Sequence, residues 1–146
     1  MREKEGSILK RDIEGNLKKV GKFVEVIKRS APAAIKAVSL RSKKRVKEIL
    51  GGEKMDEKRW LTELAIMADK ADFSEELVRL DSHITQFGNE LEKGGQVAKK
   101  LTFILQEIHR EVTTLGNKAS DAKIINKCLN IKENTERMRE QVQNLE

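Results

Sequence analysis

The sequence predicts an all-α fold, an antiparallel long-helix bundle or hairpin array of about five helices, and three observations predict it. Charged residues make up 37% of the 146 positions and aromatic residues only 3%, which suits long helices packed along narrow apolar stripes and suits a β-sandwich badly. Apolar residues recur at alternating intervals of three and four, while few runs alternate with period two. Helix breakers fall at a few discrete places, Pro32, Gly51-Gly52 and Gly94-Gly95 among them. The length corresponds to one domain, 1–146.

The first helical stretch, about 5–30, carries Ile13, Leu17, Val20, Val24 and Ile27, a coiled-coil-like seam. Gly15 and Gly21 weaken it as an isolated helix, so it needs a partner. Pro32 permits a new start, with Ser30 as the cap. A second stretch, about 33–50, has Ile35, Val38, Val46 and Ile49 on one side, while Arg41, Lys43, Lys44, Arg45 and Lys47 crowd the rest; Gly51-Gly52 ends it. The third begins near Asp56 and runs through Trp60, Leu61, Leu64 and Met67 to about Ala71. Asp72, with Glu75 three residues later, reads as a capping pair where the chain bends or restarts. The continuation, about 73–92, has Leu77, Leu80, Ile84, Phe87 and Leu91 in its seam. Lys93-Gly94-Gly95 makes a tight connection to about 96–115, with Val97, Leu101, Ile104, Ile108, Val112 and Leu115 on the apolar side and Gly116 closing it. The last helix, about 120–145, carries Ile125, Cys128, Leu129, Met138, Val142 and Leu145. Links this short imply antiparallel neighbours.

The formal charge of +6 is unevenly spread: residues 1–50 hold 15 Lys and Arg against 6 Asp and Glu, a net of +9, and residues 51–146 hold 15 against 18, a net of −3. Such an excess is a footprint for nucleic acid or another polyanion, and equally the look of a solvated basic helix. No stretch approaches the roughly 18 apolar residues that span a membrane. Met1-Arg2-Glu3-Lys4-Glu5 lacks the apolar core of a signal peptide, so a cytoplasmic location is expected. Cys128 stands alone, which excludes an intrachain disulfide, and its helical spacing reads as a small buried hydrophobe rather than a nucleophile.

Chemistry concentrates in the hairpin 73–116. With the turn centred at Gly94, residue i lies near residue 188 − i, so Glu107 comes within reach of His83, and Arg110 and Glu111 within reach of Arg79. Glu107 and Glu111 share a helix face. Two carboxylates and an imidazole are ligands for Mg²⁺ or Mn²⁺ and also groups for general acid–base chemistry, while Arg79, Arg110 and Lys118 can hold a phosphate. The same spacing also fits a solvated, salt-bridged face and a structural histidine. No P-loop, paired CxxC, HExxH or nucleophile elbow is present. Ser82 and His83 diverge by about 100° on a helix and form no catalytic pair. Lys93-Gly94-Gly95-Gln96 reads as a turn, not a phosphate cradle.

Several runs carry a resemblance. Ala71-Asp72-Phe73-Ser74-Glu75-Glu76-Leu77-Val78-Arg79-Leu80-Asp81-Ser82-His83 is one. Gly94-Gly95-Gln96-Val97-Ala98-Lys99-Lys100-Leu101-Thr102-Phe103-Ile104-Leu105-Gln106-Glu107 is another, continuing through Arg110-Glu111 and Thr114-Leu115-Gly116-Asn117-Lys118-Ala119. The opening Met1-Arg2-Glu3-Lys4-Glu5-Gly6, the pair Ala31-Pro32 and the closing Arg137-Met138-Arg139-Glu140-Gln141-Val142-Gln143-Asn144-Leu145-Glu146 complete the set. In this order and spacing they resemble the C-terminal, all-helical half of the YicC-like endoribonucleases. His109 and Thr113 depart from the family pattern, which usually has Asn at both positions.

The resemblance implies a metal-dependent bacterial endoribonuclease, linked to stress and RNA turnover, that assembles into homo-oligomers and has an N-terminal domain this chain lacks. Carried over by matching positions, the site candidates are Arg79, His83, Lys100, Gln106, Glu107, Arg110, Glu111 and Lys118. The division of roles among them is a chemical reading. Glu107 and Glu111 take a divalent metal, with His83 as a further ligand or acid–base group; Arg79, Lys100, Arg110 and Lys118 take RNA phosphate. Two other readings compete: an RNA-binding and oligomerisation module whose cleavage chemistry needs the absent half, and a structural helical adaptor that self-associates through the seam 13–27. With so few aromatic residues, RNA recognition is expected to lean on phosphate charge and shape rather than base stacking.

Overall fold

The computed structural model describes the backbone of residues 2–50 and 57–145 and the side chains of residues 3–48 and 57–145. Five helices account for it: α1 (Arg2–Leu50), α2 (Glu57–Ala71), α3 (Ser74–Lys93), α4 (Ala98–Lys118) and α5 (Ala122–Gln143), with no strand among the described residues. The expected Gly51-Gly52 stop, the start near Asp56 and the Ile49 side chain lie outside the described residues, as do Met1 and Glu146 of the terminal motifs.

Helices α1, α3, α4 and α5 close a ring, each touching the next: α1 with α3, α3 with α4, α4 with α5, and α5 with α1. This is a four-helix bundle, and α2 stands outside it, packed on α1. At 1.5 Å per residue the 49-residue α1 is about 73 Å long, more than twice α3, α4 or α5. Its N-terminal part supplies Ile13, Val20, Val24, Ile27, Ala31 and Ala34 to the core. Beyond Ala34 it runs past the bundle, where Val46 is buried outside the main core, and forms an arm with α2.

Five helices agree with the expectation of about five, but the sequence reads as six stretches, and the first two are one helix. The expected break at Pro32 is absent: α1 is continuous, with Pro32 and Ser30 both inside it. A proline in a helix interior removes one hydrogen bond and costs about 3 kcal/mol. Here Pro32 faces solvent while Ile27, Ala31 and Ala34 face the core. The proline thus sits on the exposed side of the helix, and each fully buried Ile or Val on the opposite face returns about 1.5–3 kcal/mol. The restart at Asp72 is present, and it separates α2 from α3.

The seams of α3 and α4 are as expected. Leu77, Leu80, Phe87 and Leu91 face Leu101, Ile104, Ile108 and Leu115, all buried. The connection between them uses two left-handed glycines, Gly94 at φ 68° and Gly95 at φ 76°, a region that penalises any side chain. Gly116 does not close α4 but lies within it, two residues before its end. In α5 the buried face is Ile124, Cys128, Ile131, Thr135, Met138 and Val142. The expected Ile125 and Leu129 point away, 39% and 58% exposed. The Asp121 side chain accepts a hydrogen bond from the Ile124 N–H at 3.0 Å, and this cap sets where α5 starts. Among the described residues, no helix is long and apolar enough to cross a membrane.

Candidate functional site

At one end of the bundle the start of α3 meets the end of α4. Phe73, 1% exposed, closes the core there, and its carbonyl accepts the Leu77 N–H. Asp72 sits just outside. Its Oδ1 accepts from the Ser74 backbone N–H at 2.9 Å and from the Ser74 hydroxyl. These two bonds, with some help from nearby Lys118, hold the Asp72 carboxyl below its ordinary range. The expected capping partner Glu75 is instead turned toward Arg79, at 3.4 Å.

Glu76 follows in the first turn of α3, where the helix dipole favours a carboxylate. It is 3% exposed. Its Oε1 accepts from the Lys118 ammonium at 2.7 Å and lies 3.5 Å from an Arg79 terminal nitrogen. Burial is the strongest influence on this carboxyl and pushes its pKa up. The Lys118 hydrogen bond, its own backbone N–H and the charges of Lys118 and Arg79 together outweigh burial, so the pKa ends below the ordinary value. Its second oxygen, Oε2, is buried with no hydrogen-bond partner among the described residues.

Arg79 reaches across to α4, where its Nε donates to Glu111 at 3.0 Å. Glu111 occupies a core position of the α4 seam, midway between Ile108 and Leu115, and is 8% exposed. That hydrogen bond is the main reason the Arg79 guanidinium is held even more firmly protonated than usual. Lys118 also lies 3.4 Å from the Asp72 carbonyl. The result is a chain of opposite charges, Glu111–Arg79–Glu76–Lys118, with two buried carboxylates on the inside and a half-exposed guanidinium at the surface. Such an arrangement can present a fixed cationic donor to an anion while keeping its orientation against thermal motion.

The structure thus brings together Arg79, Glu111 and Lys118 of the expected set. It does not bring in the others. Lys100 lies toward the far end of the hairpin, 3.9 Å from Glu90, which is about 21 Å along α3 from Glu76. Arg110 is exposed on α4, and so are Gln106 and His109, which line a separate groove with Thr135 and Arg139 of α5. The pairs Arg79–Glu111 and Glu90–Lys100 give a register of 190 − i rather than 188 − i. Half-buried His83 is then level with half-buried Glu107, one turn from the Arg79–Glu111 pair.

The expected metal ligands, Glu107, Glu111 and His83, do not form a ligand set. Among the described residues, no group of three or more His, Cys, Asp or Glu is arranged to hold a metal ion. The reason is the partner of Glu111: its carboxylate is turned to Arg79, and the register leaves His83 and Glu107 a turn away. The described residues therefore do not converge on a divalent ion.

Glu76, which shares a helix face with Arg79 and His83, belongs to the cluster although it is not among the expected site residues. A signal was available, since Glu76 flanks the Leu77–Leu80 seam and lies three residues before Arg79. Glu111 shows the same signal more strongly, as a carboxylate set on the heptad line of its helix.

Comparison with known proteins adds a family. Residues 27–146 match the family described as endoribonuclease YicC-like, C-terminal. A protein of Clostridioides difficile (strain 630) named probable endoribonuclease YicC is 35% identical over 147 residues, covering 100% of this chain and 50% of that protein. A protein of the same name from Haemophilus influenzae is 34% identical over 146 residues, again covering 100% of this chain and 50% of the relative. The chain therefore spans about half the length of the curated relatives it matches.

Proposed function

This chain belongs to the YicC-like endoribonuclease family, through that family's C-terminal region, and from that premise we propose that it is the RNA-handling helical half of an endoribonuclease. The observation that carries the reading is the half-exposed Arg79 guanidinium, fixed from inside by two buried carboxylates, Glu111 and Glu76. Its contact to Glu75 is long, at 3.4 Å, and lies on the solvent side, so an RNA phosphate can take that place. Glu76 and Glu111 position Arg79 and Lys118; their own proton affinity is not the point of the design.

Proton transfer falls to His83, with Glu107 level with it across the hairpin. Imidazole is the side chain whose ordinary titration suits acid–base work near neutrality. Positive charge concentrated on α1 draws the strand in, and Arg110 and Lys100 extend the contact along α4. No step here is routed through a metal ion, because the donors among the described residues do not converge on one.

A second reading is favoured by one observation. The apolar residues of α2 and its flank, Leu40, Leu61, Ile66 and Met67, are 57%, 55%, 43% and 37% exposed. Exposed apolar side chains spread around the α1–α2 arm suit an assembly module, with homo-oligomer formation or docking of the family's N-terminal domain covering them.

Cleavage of an end-labelled structured RNA by the purified chain separates the two, with and without Mg²⁺ or Mn²⁺ and beside Arg79→Ala, His83→Ala and Glu107→Ala. Cutting by the wild type that all three variants lose supports a reactive centre in this half. If no protein cuts and all still bind RNA, this half is a binding and assembly unit and proton transfer by His83 in this half is wrong.

A further inference from the structure

The base of the α1–α2 arm meets the end of α4, and a pocket of about 370 Å³ opens at that junction. Its floor includes buried Val46 of α1. Its polar lining comes from three helices: Ser42 and Arg45 of α1, Lys70 of α2, and Asn117 and Lys118 of α4. No carboxylate lines it. Arg45 and Lys70 are exposed and, among the described residues, form no ion pair. Lys118 gives its charge to Glu76 on the inner side.

Three cations thus converge, and of them only Lys118 is paired with a carboxylate, Glu76 at 2.7 Å, with Asp72 nearby. Lys70 and Lys118 also stand in the last turns of α2 and α4, whose dipoles offer about half a negative charge each. Arg45 and Lys70 have no carboxylate in the pocket lining, so the pocket offers two cationic side chains to a single phosphodiester. Ser42 and Asn117 add neutral hydrogen-bonding groups to the same wall.

We propose that this pocket is a phosphate-binding site for the backbone of single-stranded RNA. The site rests on the RNA reading above and deepens it: Lys118 belongs to both the pocket and the Arg79 cluster, so a phosphate seated here directs the strand onto Arg79. The pocket lining contains no aromatic side chain, so the site grips backbone without reading bases.

The test uses the whole chain and a 5′-labelled oligouridylate, with affinity measured over a salt series. Arg45→Glu/Lys70→Glu is compared with Lys18→Glu/Lys19→Glu, an equal charge change at exposed positions elsewhere on α1. The pocket pair is expected to lose at least about tenfold in affinity and to flatten the salt slope by about 0.7, the contribution of one single-strand phosphate contact. The control pair is expected to change both much less. Equal losses in the two pairs would show diffuse binding along α1 and overturn the site. If the wild type binds no oligouridylate, the RNA reading falls, and a pyrophosphate titration followed by amide NMR decides the pocket. Shifts at Ser42, Lys70 and Asn117 that the pocket pair abolishes keep a phosphate site there; their absence removes it.

Discussion

Replacing Lys118 by methionine tests the electrostatic core of the site. Glu76 is 3% exposed, and Lys118 holds its Oε1 at 2.7 Å. Stripping the partner from a buried carboxylate costs about 3–5 kcal/mol. Two features moderate that here: the Lys118 side chain is 31% exposed, and Arg79 remains 3.5 Å from the same carboxylate. The expected loss is therefore about 2–3 kcal/mol at pH 7, or a fall of roughly 4–10 °C in Tm for a chain of this size.

The pH dependence has a definite sign. In the wild type, Glu76 titrates below its ordinary value of 4.5, so it adds stability above that pH and the contribution is lost as pH falls through the lower folded value. In Lys118→Met, burial is no longer opposed by the ammonium, and the carboxyl moves above 4.5. Its charged form then costs stability at pH 7, and acid relieves that cost. The gap between the two proteins should narrow from pH 7 to pH 4. Urea denaturation followed by far-UV circular dichroism at both pH values measures it. Adding Glu76→Gln to Lys118→Met should recover part of the loss by removing the buried charge. A variant within about 0.5 kcal/mol of wild type at pH 7, the scatter of ordinary surface changes, would refute the account, as would a gap that does not change with pH.

Other expectations follow from the same geometry. A Cβ added at Gly15 or Gly21 meets nothing within 4 Å, so each change to alanine should stabilise the chain by about 0.5–1 kcal/mol; a loss on thermal melting would contradict a continuous α1. Ile124 is 0% exposed and Ile125 39%, so Ile124→Ala should cost about 2–5 kcal/mol and Ile125→Ala far less in the same denaturation assay. Equal costs would mean that the buried face of α5 is misassigned. The Cys128 thiol is 3% exposed and burial pushes its pKa up to about 11. At pH 8 its alkylation by iodoacetamide should be at least about 100-fold slower in the folded chain than in urea, through the smaller thiolate fraction alone; comparable rates would place the thiol at the surface.

Much of the fold is legible because it is written in local periodicity. The seams Leu77–Leu80–Phe87–Leu91 and Leu101–Ile104–Ile108–Leu115 need only the helix repeat to be read, and the Gly94-Gly95 turn demands antiparallel pairing with little slack. That pairing alone makes Arg79 and Glu111 neighbours, in a register two residues from the one the structure adopts. What the repeat leaves open is decided by neighbours. Pro32 breaks an isolated helix, but α1 passes through it because the far side of that turn is buried against the bundle. Ile124 and Ile125 are equally apolar, and the Asp121 cap together with packing on α1 and α4 selects the first. Glu76 looks like a solvated first-turn carboxylate until Lys118, 42 residues away in sequence, closes over it. The missing metal triad has the same origin, since a carboxylate's partner is set by which side chain arrives across the interface. The α3–α4 hairpin and its apolar faces were thus settled by the amino-acid order, because they depend on residues within two turns. The pairing of charges was settled only by tertiary structure, because burial and distance between helices fix which ions meet.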